Sequence, residues 1–353
     1  MHRVAVWSTG GIGTIAIPTI LKRDGLELVG VWVHSEDKVG RDVGELVGLE
    51  PIGLAASGDF DEILGRGVDC VYYAASGPDR DAAAVPDYLR LLRAGVNVVS
   101  VSTPPLVYPP GYSNQEWVAD LETAAAEGGV SFYSSGIEPG FAADQLPLLL
   151  ATQSSSIRSI RCAEIFLYDQ YPVAFMMRDV MGFGMPMDYA PLLATPEAQS
   201  GAWGPSIGLV AAGLGIELDG LREEYDRAPA HRRIETASGV IEPGTCGAIR
   251  AQTVGVVDGR DVITIEHVNR MAADVAPEWP TGHVDGTYRI EIDGDPIIRC
   301  DMVLGEPGGA NDAAMRATAM RALNAIPYVV AARPGLLTSL DLPLTLPQNP
   351  LVP

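Results

Sequence analysis

The sequence predicts an α/β fold in which a doubly wound parallel sheet is joined to a second, α+β domain with a largely antiparallel sheet. Three observations support this prediction. A strand, a glycine-rich loop and a helix open the chain, and strand and helix patterns then alternate over the first 135 residues. From residue 247 to 304, by contrast, strand patterns follow one another around short turns. The length of 353 residues is enough for about two domains.

The opening unit carries the most specific motif. Arg3–Trp7 is a short apolar run typical of a buried strand, and Thr14–Leu21 continues with helical spacing. The loop between them matches the fingerprint G-x-G-x-x-G at Gly10 and Gly13, while Ser8 replaces the first glycine. Such glycines let the backbone approach a pyrophosphate, and the helix N-terminus then offers free N–H groups to it. The pattern predicts a Rossmann domain, and an ordinary tight strand–helix turn is the alternative.

The other elements of the first domain follow from the same alternation. Strands are predicted at Leu26–His34, Val68–Ala75, Val96–Ser102 and Val130–Ser134. Helices are predicted at Gly40–Val47, Asp79–Ala94 and Asn114–Glu127. Strands that alternate with helices imply a parallel sheet with right-handed crossovers.

The second domain has a different rhythm. Strands are predicted at Ile157–Tyr168, Gly247–Val257, Asp261–Met271, Gly286–Ile292 and Pro296–Leu304. Helices are predicted at Ile207–Leu218, Leu221–Ala228 and Asn311–Asn324, after a loop-rich stretch from residue 169 to about 204. Hairpin turns are predicted at Asp258-Gly259 and Asp293-Gly294, because type I′ turns require positive φ.

The last helix and the tail define the predicted domain limits. Asn311 is expected to cap the helix and Pro327 to end it. The tail from residue 334 is expected to return to the first domain. We therefore predict a dinucleotide-binding domain at 1–136, completed by 325–353, and a substrate and dimerisation domain at 137–324.

Composition excludes several classes of partner and compartment. A net charge of −21 argues against nucleic acid and against an anionic membrane surface, since both attract basic patches. No run of 18 apolar residues and no signal-peptide pattern is present, so a cytoplasmic location is expected. The four cysteines form no Cys-x-x-Cys pair, so we expect buried free thiols and no metal site.

The residues after the second strand indicate which dinucleotide is preferred. An NAD site usually places Asp or Glu at this position to hold the ribose hydroxyls, whereas this chain has His34, followed by Ser35 and Lys38. A hydroxyl and a cation attract a 2′-phosphate. We therefore predict NADP(H) in preference to NAD(H), with Glu36 and Asp37 as the contrary observation.

Small residues at the strand ends predict where the nicotinamide and its ribose lie. Ligands of doubly wound sheets bind beyond the carboxyl ends of the strands. There the sequence places Ala74, Ala75 and Ser76 after one strand and Ser102 at the end of the next. Because these side chains are small, they leave room for the ring and the sugar.

The candidate catalytic residues are polar side chains near the predicted cleft. They are Thr103, Glu138, Tyr168, Tyr171 and His267. Histidine has a pKa suited to proton transfer, and loop aromatics and methionines between residues 168 and 189 are typical of an adaptable apolar pocket. The alternatives are structural: Glu138 as a hinge carboxylate, the aromatics as packing between domains, and His267 as a satisfied strand histidine.

Segments along nearly the whole chain resemble a known family. The segments are VAVWSTGGIG, LVGVWVHSEDKVGRDVGEL, SSGIEPGF, DVMGFG and ALNAIPYVVAARPG. They are similar to the dihydrodipicolinate-reductase-like oxidoreductases, and most similar to the branch with 2,4-diaminopentanoate dehydrogenase and the native amine dehydrogenases. The resemblance implies a homodimer and an Asn324 near the nicotinamide. It also implies that the cofactor contacts Ser8, Thr9, Gly10, Gly11, Ile12, Gly13, His34, Ser35 and Lys38.

The chain departs from this branch at one position that matters for catalysis. The resemblance implies a glutamate that polarises the amine, in a Ser-x-x-Glu-Glu-like run, but this chain reads Ser100-Val101-Ser102-Thr103-Pro104-Pro105. The missing carboxylate argues against reductive amination. We therefore predict an NADP(H)-dependent oxidoreductase that moves hydride to or from a carbonyl, imine or alcohol carbon of a small, largely apolar substrate. A catalytically silent NADP(H)-binding sensor is the alternative.

Overall fold

The structure is a computed structural model that describes residues 1–75, 80–283 and 285–348, with only the backbone described at 80 and 81. It divides into two compact units. The first unit consists of Met1–Gly140 and the chain from Met315 onward, and the second consists of Phe141–Ala314.

The elements are numbered in chain order. The strands are β1 (His2–Trp7), β2 (Leu26–Trp32), β3 (Cys70–Tyr73), β4 (Asn97–Ser100), β5 (Ser131–Ser134), β6 (Ser156–Leu167), β7 (Gly220–Pro229), β8 (Ile234–Thr236), β9 (Gly239–Ile241), β10 (Cys246–Val257), β11 (Arg260–Arg270), β12 (Gly286–Asp295), β13 (Ile298–Met302) and β14 (Gly335–Leu337). The helices are α1 (Gly11–Ile20), α2 (Val43–Leu46), α3 (Phe60–Leu64), α4 (Arg80–Arg93), α5 (Gln115–Gly128), α6 (Gln145–Ala151), α7 (Ala198–Leu214) and α8 (Ala310–Ala331).

The first unit is built on a six-stranded sheet with the order β14-β5-β4-β3-β1-β2, in which every pairing is parallel. Successive residues of β1 face opposite sides, so Val4 and Val6 pack with Ile17 of α1 while Ala5 and Trp7 pack on the other side. Strand β1 lies between β2 and β3, so the chain adds β2 on one side of β1 and β3 on the other. This arrangement confirms the predicted doubly wound sheet and places its topological switch point beside the glycine loop.

The second unit is built on a six-stranded sheet with the order β13-β12-β6-β11-β10-β7. Its pairings are antiparallel except for the parallel pair β6–β11, which confirms the prediction of a largely antiparallel sheet. Helix α7 packs Trp203 and Ile207 into the core that contains Ile263 and Ile265 of β11. Within the described ranges, every helix is too short or too polar to cross a lipid bilayer.

The helix predicted at Leu221–Ala228 is wrong, because these residues form the edge strand β7. The charged residues of this segment differ from good strand formers by only about 0.5 kcal/mol each in helix propensity. That preference is outweighed because β7 pairs with β10 along its whole length and Tyr225 packs against the core. A row of charged side chains is also typical of an edge strand.

One of the two predicted hairpin turns is wrong. Asp258 and Gly259 have φ of 51° and 70°, as a type I′ turn requires, and they join β10 to β11. Asp293 and Gly294, however, lie inside β12, where the register with β6 shifts. Gly294 is needed there because a Cβ at this position would lie 2.4 Å from the carbonyl oxygen of Ser156.

The two long helices differ from their predicted limits. Helix α7 starts before the predicted Ile207 despite Gly204 and Pro205, and it ends at Leu214, short of the predicted Leu218, because Gly215 caps it with φ of 70°. Helix α8 continues through Pro327 to Ala331, so the proline does not end it. Asn311 is not its cap, because this residue lies inside the helix and its amide donates to the carbonyl of Leu167 at 2.8 Å.

The extension of α8 past Pro327 has a packing cause. Ala325 and Ile326 before the proline and Val329 after it are fully buried in the core of the first unit. Burial of Ile326 and Val329 stabilises by about 2 kcal/mol each, which offsets the hydrogen bond that proline removes.

Candidate functional site

The glycine loop joins β1 to α1 at the carboxyl edge of the first sheet. Ser8 has φ of 88°, and its hydroxyl accepts a hydrogen bond from the N–H of Gly10 at 3.2 Å. Helix α1 then begins with Gly11 and Ile12, its N-cap Gly10 makes no side-chain hydrogen bond, and its first turn carries no acidic residue. The N–H groups at the start of α1 therefore suit an anion.

Gly13 occupies a position that admits no side chain. A Cβ built on Gly13 would lie 2.0 Å from the carbonyl oxygen of Ser8. The absence of a side chain lets α1 approach the end of β1 this closely, which is the role of the third fingerprint glycine. The loop geometry thus fits a dinucleotide pyrophosphate at the N-terminus of α1.

The residues after β2 bring a cation to the glycine loop. His34 and Ser35 are exposed in the connection that follows β2, and Lys38 ends the short 3₁₀ turn Glu36–Lys38. The ammonium of Lys38 donates to the hydroxyl of Thr9 at 3.2 Å. A lysine distant in sequence therefore lies beside the loop, where the adenine-ribose end of a dinucleotide is expected.

Most other predicted cofactor residues lie at the same edge of the sheet. Ala74 and Ala75 directly follow β3 and are buried. Ser102 follows β4, and its N–H donates to the hydroxyl of Ser100 at 3.0 Å. Ser76 lies outside the described residues.

Asn324 lies at the opposite edge of the first sheet. It lines a small cleft with Arg23 and Leu26, and Leu26 is the first residue of β2. Its amide oxygen is buried and, in the part of the chain that the structure describes, accepts no hydrogen bond. The structure does not bring Asn324 together with the glycine loop.

The two predicted catalytic residues of the first unit have different surroundings. Thr103 is fully buried, and its hydroxyl lies 3.0 Å from that of Tyr88, which also lies 2.7 Å from the hydroxyl of Ser100. The Thr103 side chain is thus part of an interior hydroxyl network. Glu138 is half-buried, and the N–H of the preceding Ile137 donates to a threonine of α8 at 3.3 Å.

In the second unit, three predicted catalytic residues come together around a carboxylate. The hydroxyl of Tyr168 donates to Oε1 of Glu164, and Nδ1 of His267 lies 3.5 Å from the same oxygen. The rings of Tyr168 and Tyr171 are 5.5 Å apart. His267 faces Glu164 because the two residues are register partners in the parallel pair β6–β11. We call Glu164, Tyr168, His267 and Asn269 the Glu164 cluster.

The surroundings of the Glu164 cluster shift the pKa values of Glu164 and Tyr168 in opposite directions. Burial alone would raise the pKa of Glu164, but attraction to His267 and the hydrogen bonds from its neighbours together lower it below the ordinary value. Burial, and secondarily the Glu164 charge, raises the pKa of Tyr168 well above its ordinary value. At neutral pH the cluster therefore holds a carboxylate beside a protonated phenol.

Sequence reasoning missed Glu164, Asn269 and Trp203. The amide of Asn269 donates to Oε1 of Glu164 at 3.0 Å, and the ring of Trp203 stacks on that of His267 with centroids 4.0 Å apart. The available signal was Glu164 itself, a charged residue inside the apolar run that ends at Leu167. A carboxylate in a buried strand requires hydrogen-bonding partners, so such a residue is a candidate for a functional site.

The opposite face of the second sheet carries a separate ionic network. Glu266 is 1 % exposed and accepts from Arg161 and Arg250, each at 2.6 Å. Glu266 neighbours His267 along β11, and successive residues of a strand point to opposite faces. The Glu164 cluster and the Glu266 network therefore occupy the two sides of the same sheet.

The chain is similar in sequence to dehydrogenases over almost its whole length. The 2,4-diaminopentanoate dehydrogenase C-terminal domain family matches residues 141–349. An amine dehydrogenase from Streptomyces virginiae is 39% identical over 98% of this chain and 97% of its own. A 2,4-diaminopentanoate dehydrogenase from Acetoanaerobium sticklandii is 26% identical over 97% of this chain and 93% of its own.

Two solved structures share the fold. An amine dehydrogenase from Mycobacterium smegmatis superposes with a TM-score of 0.79 at 21% identity, covering 98% of this chain and 97% of its own. A dihydrodipicolinate reductase from a Paenisporosarcina species superposes with a TM-score of 0.52 at 14% identity, covering 97% and 98%. The fold of this chain is thus shared over nearly the whole length of both structures.

Proposed function

This chain belongs to the family of 2,4-diaminopentanoate dehydrogenases and amine dehydrogenases, and we propose that it is an NADP(H)-dependent dehydrogenase of small, largely apolar substrates. The family makes it an oxidoreductase that uses a nicotinamide cofactor. We further propose that the reacting carbon bears an amine, imine or carbonyl group. The names of the relatives favour nitrogen, although Thr103 stands where the resemblance implies a glutamate.

The glycine loop is the observation that carries this proposal. Gly13 leaves no space for a side chain, and the start of α1 offers N–H groups with no side-chain cap. Ser8, Thr9, Gly10, Gly11, Ile12 and Gly13 would hold the pyrophosphate. The bound nicotinamide supplies the hydride, and the residues of the chain orient it and manage the proton.

The preference for NADP(H) rests on the residues after β2. Lys38 is held beside Thr9, and Ser35 adds a hydroxyl, so a 2′-phosphate at this point would find one cation and one donor. His34 occupies the position where an acidic residue would favour NAD(H). We propose that Ala74, Ala75, Ser76 and Ser102 border the ribose and the nicotinamide.

The candidates for proton transfer are Thr103, Glu138, Tyr168, Tyr171 and His267. Among them Tyr168 has the most suitable surroundings, because its raised pKa keeps the phenol protonated and Glu164 holds its hydroxyl. We propose that Tyr168 orients the polar group of the substrate. The half-buried Tyr171 and Met176, which pack against the core of the second unit, suit the apolar part of the substrate.

The oligomeric state is a further proposal. We propose a homodimer that forms through the sheet of the second unit, because its face opposite α7 carries both signs of charge on Arg161, Glu266 and Arg250. Light scattering coupled to size-exclusion chromatography tests this. That the protein binds no nucleic acid remains a prediction from its net charge. The cytoplasmic location likewise remains a prediction from the sequence.

Turnover is tested by mixing the purified protein with NADPH and a panel of aldehydes, ketones and ketone–ammonia mixtures. The reverse assay uses NADP⁺ with primary amines and alcohols. We expect a change in absorbance at 340 nm with at least one member of the panel. Tight cofactor binding without any turnover would instead favour the silent sensor. Flat calorimetric traces with both NADPH and NADH would contradict the proposal.

The cofactor preference is tested with Lys38→Ala. Loss of one charge-assisted contact to phosphate should weaken NADPH binding about 10-fold or more and leave NADH binding nearly unchanged. The matched control is Lys22→Ala, since Lys22 is the only other lysine of the chain and is exposed. Isothermal calorimetry measures both affinities. Equal losses for NADPH and NADH would contradict a role of Lys38 at the 2′-phosphate.

A further inference from the structure

A cleft of about 140 Å³ lies in the second unit at the ends of β6 and β11. Its walls are formed by the last residues of both strands and by the chain that leads from β11 to β12, and they include Ile165, Leu167, Arg270, Ala273, Thr281 and Asp285. One water molecule needs only about 10–15 Å³ of such space. The cleft is therefore large enough for an organic molecule of several non-hydrogen atoms.

The cleft and the Glu164 cluster lie on different faces of the second sheet. Ile165 follows Glu164 along β6, and Arg270 follows Asn269 along β11. Successive residues of a strand point to opposite faces. Ile165 accordingly packs with Val268 in a small cluster of its own rather than in the core beneath α7. A ligand of the cleft would thus occupy a site apart from the Glu164 cluster.

Arg270 is a buried cation without an acidic partner in contact. The residue is 4 % exposed, and its Nε and Nη2 donate to the backbone carbonyls of Val275 and Ala276 at 3.0 and 3.1 Å. Within the described ranges, no carboxylate is close enough to form an ion pair with it. Burial lowers the pKa of Arg270, and only the more distant Glu278 opposes this effect. Because a buried charge without a counter-ion is costly, an anion beside this guanidinium would be stabilising.

The guanidinium of Arg270 keeps N–H groups that are available to a ligand. Nη1 donates to no residue in the part of the chain that the structure describes. It is accessible to solvent, because the described side-chain nitrogens that are both buried and without a partner belong to other residues. Nη1 and the second N–H of Nη2 form the end of the guanidinium fork, and this geometry matches the two oxygens of a carboxylate.

The other walls of the cleft select a small anion with a single charge. Asp285 also lines the cleft, where its Oδ2 accepts from the first N–H of α8 at 3.3 Å, and it would repel a dianion more strongly than a monoanion. The hydroxyl of Thr281 makes no hydrogen bond to a described residue, so it can donate to the ligand. The remaining side chains are apolar: Ile165, Leu167 and Ala273. A monocarboxylate with a short hydrocarbon tail matches both parts of this lining.

We propose that the cleft binds a small aliphatic monocarboxylate, whose two oxygens are held by Nη1 and Nη2 of Arg270. Thr281 donates to the same carboxylate, and the hydrocarbon tail lies against Ile165 and Leu167. The inference goes beyond the proposed function, because it assigns a second ligand that takes no part in hydride transfer.

The first test measures binding of isobutyrate to the whole chain without cofactor. Sodium isobutyrate replaces sodium chloride at constant ionic strength, and saturation-transfer NMR detects contact of its methyl groups with the protein. For a ligand of about six non-hydrogen atoms we expect a dissociation constant of about 1 mM. Sodium sulfate should bind more weakly, because of Asp285. Absence of saturation transfer, or tighter binding of sulfate than of isobutyrate, would overturn the inference.

The role of Arg270 is tested with Arg270→Gln. Loss of the charge and of the fork should weaken isobutyrate binding about 10-fold or more. The matched control is Arg250→Gln on the same face of the sheet, because Arg250 already pairs with Glu266 at 2.6 Å. We expect the control to keep its affinity within about 2-fold. Equal affinities of the two variants would overturn the inference.

A second variant tests the cleft without removing the arginine. Arg270→Gln also loses the hydrogen bonds to Val275 and Ala276, whereas Ala273→Leu leaves them in place. Ala273 is exposed, so the larger side chain should not disturb folding, and it should fill the space for the hydrocarbon tail. We expect Ala273→Leu to lose isobutyrate binding while its melting temperature stays near that of the wild type. Undiminished binding to Ala273→Leu would overturn the inference.

A carboxylate of a second copy is the competing occupant, because the cleft lies on the face proposed for the homodimer. The isobutyrate titration is therefore repeated at protein concentrations below and above that at which the dimer forms. We expect the same affinity at both, and an affinity lost on dimer formation would overturn the inference in favour of the second copy. Failure of NADPH and NADH to bind would contradict the proposed function alone, since the titration uses protein without cofactor.

Discussion

Ser8 shows how the chain accommodates its departure from the glycine fingerprint. Its φ of 88° is a left-handed conformation that costs a non-glycine residue about 1 kcal/mol. The hydroxyl of Ser8, however, accepts the N–H of Gly10 at 3.2 Å, a bond that glycine could not make. The serine thus keeps the backbone path of the loop and adds a hydrogen bond within it.

Gly13 allows the sharpest prediction at the residue scale. In Gly13→Ala the new methyl group would meet the carbonyl oxygen of Ser8 at 2.0 Å, so α1 must move away from β1. We expect a loss of about 3 kcal/mol or more in the free energy of unfolding and a loss of NADPH binding. Urea unfolding and calorimetry measure the two effects.

The control for this prediction is Gly10→Ala in the same loop. Its Cβ would lie 3.4 Å from the hydroxyl oxygen of Ser8, an ordinary contact, so the free energy of unfolding should stay within about 1 kcal/mol of the wild type. A Gly13→Ala protein as stable as Gly10→Ala would show that α1 does not need the close approach.

Single residues were predictable where chain neighbours define their role. The spacing of Gly10 and Gly13 and the place of Lys38 after the second strand are visible in the sequence. Glu164 was not predicted, because its partners His267 and Asn269 are far away in sequence and only the register of β6 with β11 brings them to it. Sequence spacing does not specify that register.

At the scale of elements, the sequence predicts correctly whether a segment is a strand or a helix where the local preference of its residues and its packing agree. It fails at Gly220–Pro229, whose charged residues favour a helix while pairing with β10 makes a strand. It fails again at Pro327, where buried neighbours carry α8 through the proline. In both cases, contacts remote in sequence outweigh the local preference.

The bulge in β12 supports a prediction about an element. Gly294→Ala would place a methyl group 2.4 Å from the carbonyl oxygen of Ser156, so the pairing of β12 with β6 would be disturbed. We expect a decrease of about 2 kcal/mol in the free energy of unfolding. Thermal and urea unfolding give the measurement.

Gly220→Ala is the matched control in the same sheet. Nothing lies within 4 Å of a Cβ at Gly220, and the residue begins the exposed edge strand β7. We expect a change of less than about 0.5 kcal/mol. An equal change in the free energy of unfolding for both substitutions would mean that the bulge does not require glycine at position 294.

At the scale of the whole molecule, the two sheet types were predictable but the strand orders were not. The alternation of strands and helices indicates a parallel sheet, and consecutive strands around short turns indicate an antiparallel one. The single parallel pair β6–β11 joins strands separated by about a hundred residues, and this pairing has no local signature. The cluster around Glu164 depends on that pair.

The four cysteines report on the packing of both units. Cys70, Cys162 and Cys246 are buried, whereas Cys300 is half-buried, so the expectation of four buried thiols holds for three of them. Burial raises the pKa of Cys70 above its ordinary value and that of Cys246 to about 12. We expect iodoacetamide at pH 8 to modify only Cys300 in the native protein, because the thiolate is the reactive form.

Peptide mapping by mass spectrometry after short and long exposure measures this selectivity. In 6 M guanidinium chloride all four thiols should react, which provides the control for reagent quality. Modification of Cys70 or Cys246 in native protein as fast as that of Cys300 would contradict the burial of these side chains.

Strand β14 lies against β5, although Gly335–Leu337 is separated from Ser131–Ser134 by the entire second unit. During translation, the outer edge of β5 therefore stays without its neighbour until the second unit and then β14 have left the ribosome. The inserted unit is contiguous and emerges complete before that moment. Completion of the first sheet thus has to wait for a strand that is synthesised after the second unit, and a product terminated before β14 would expose the bare edge of β5 to other nascent chains.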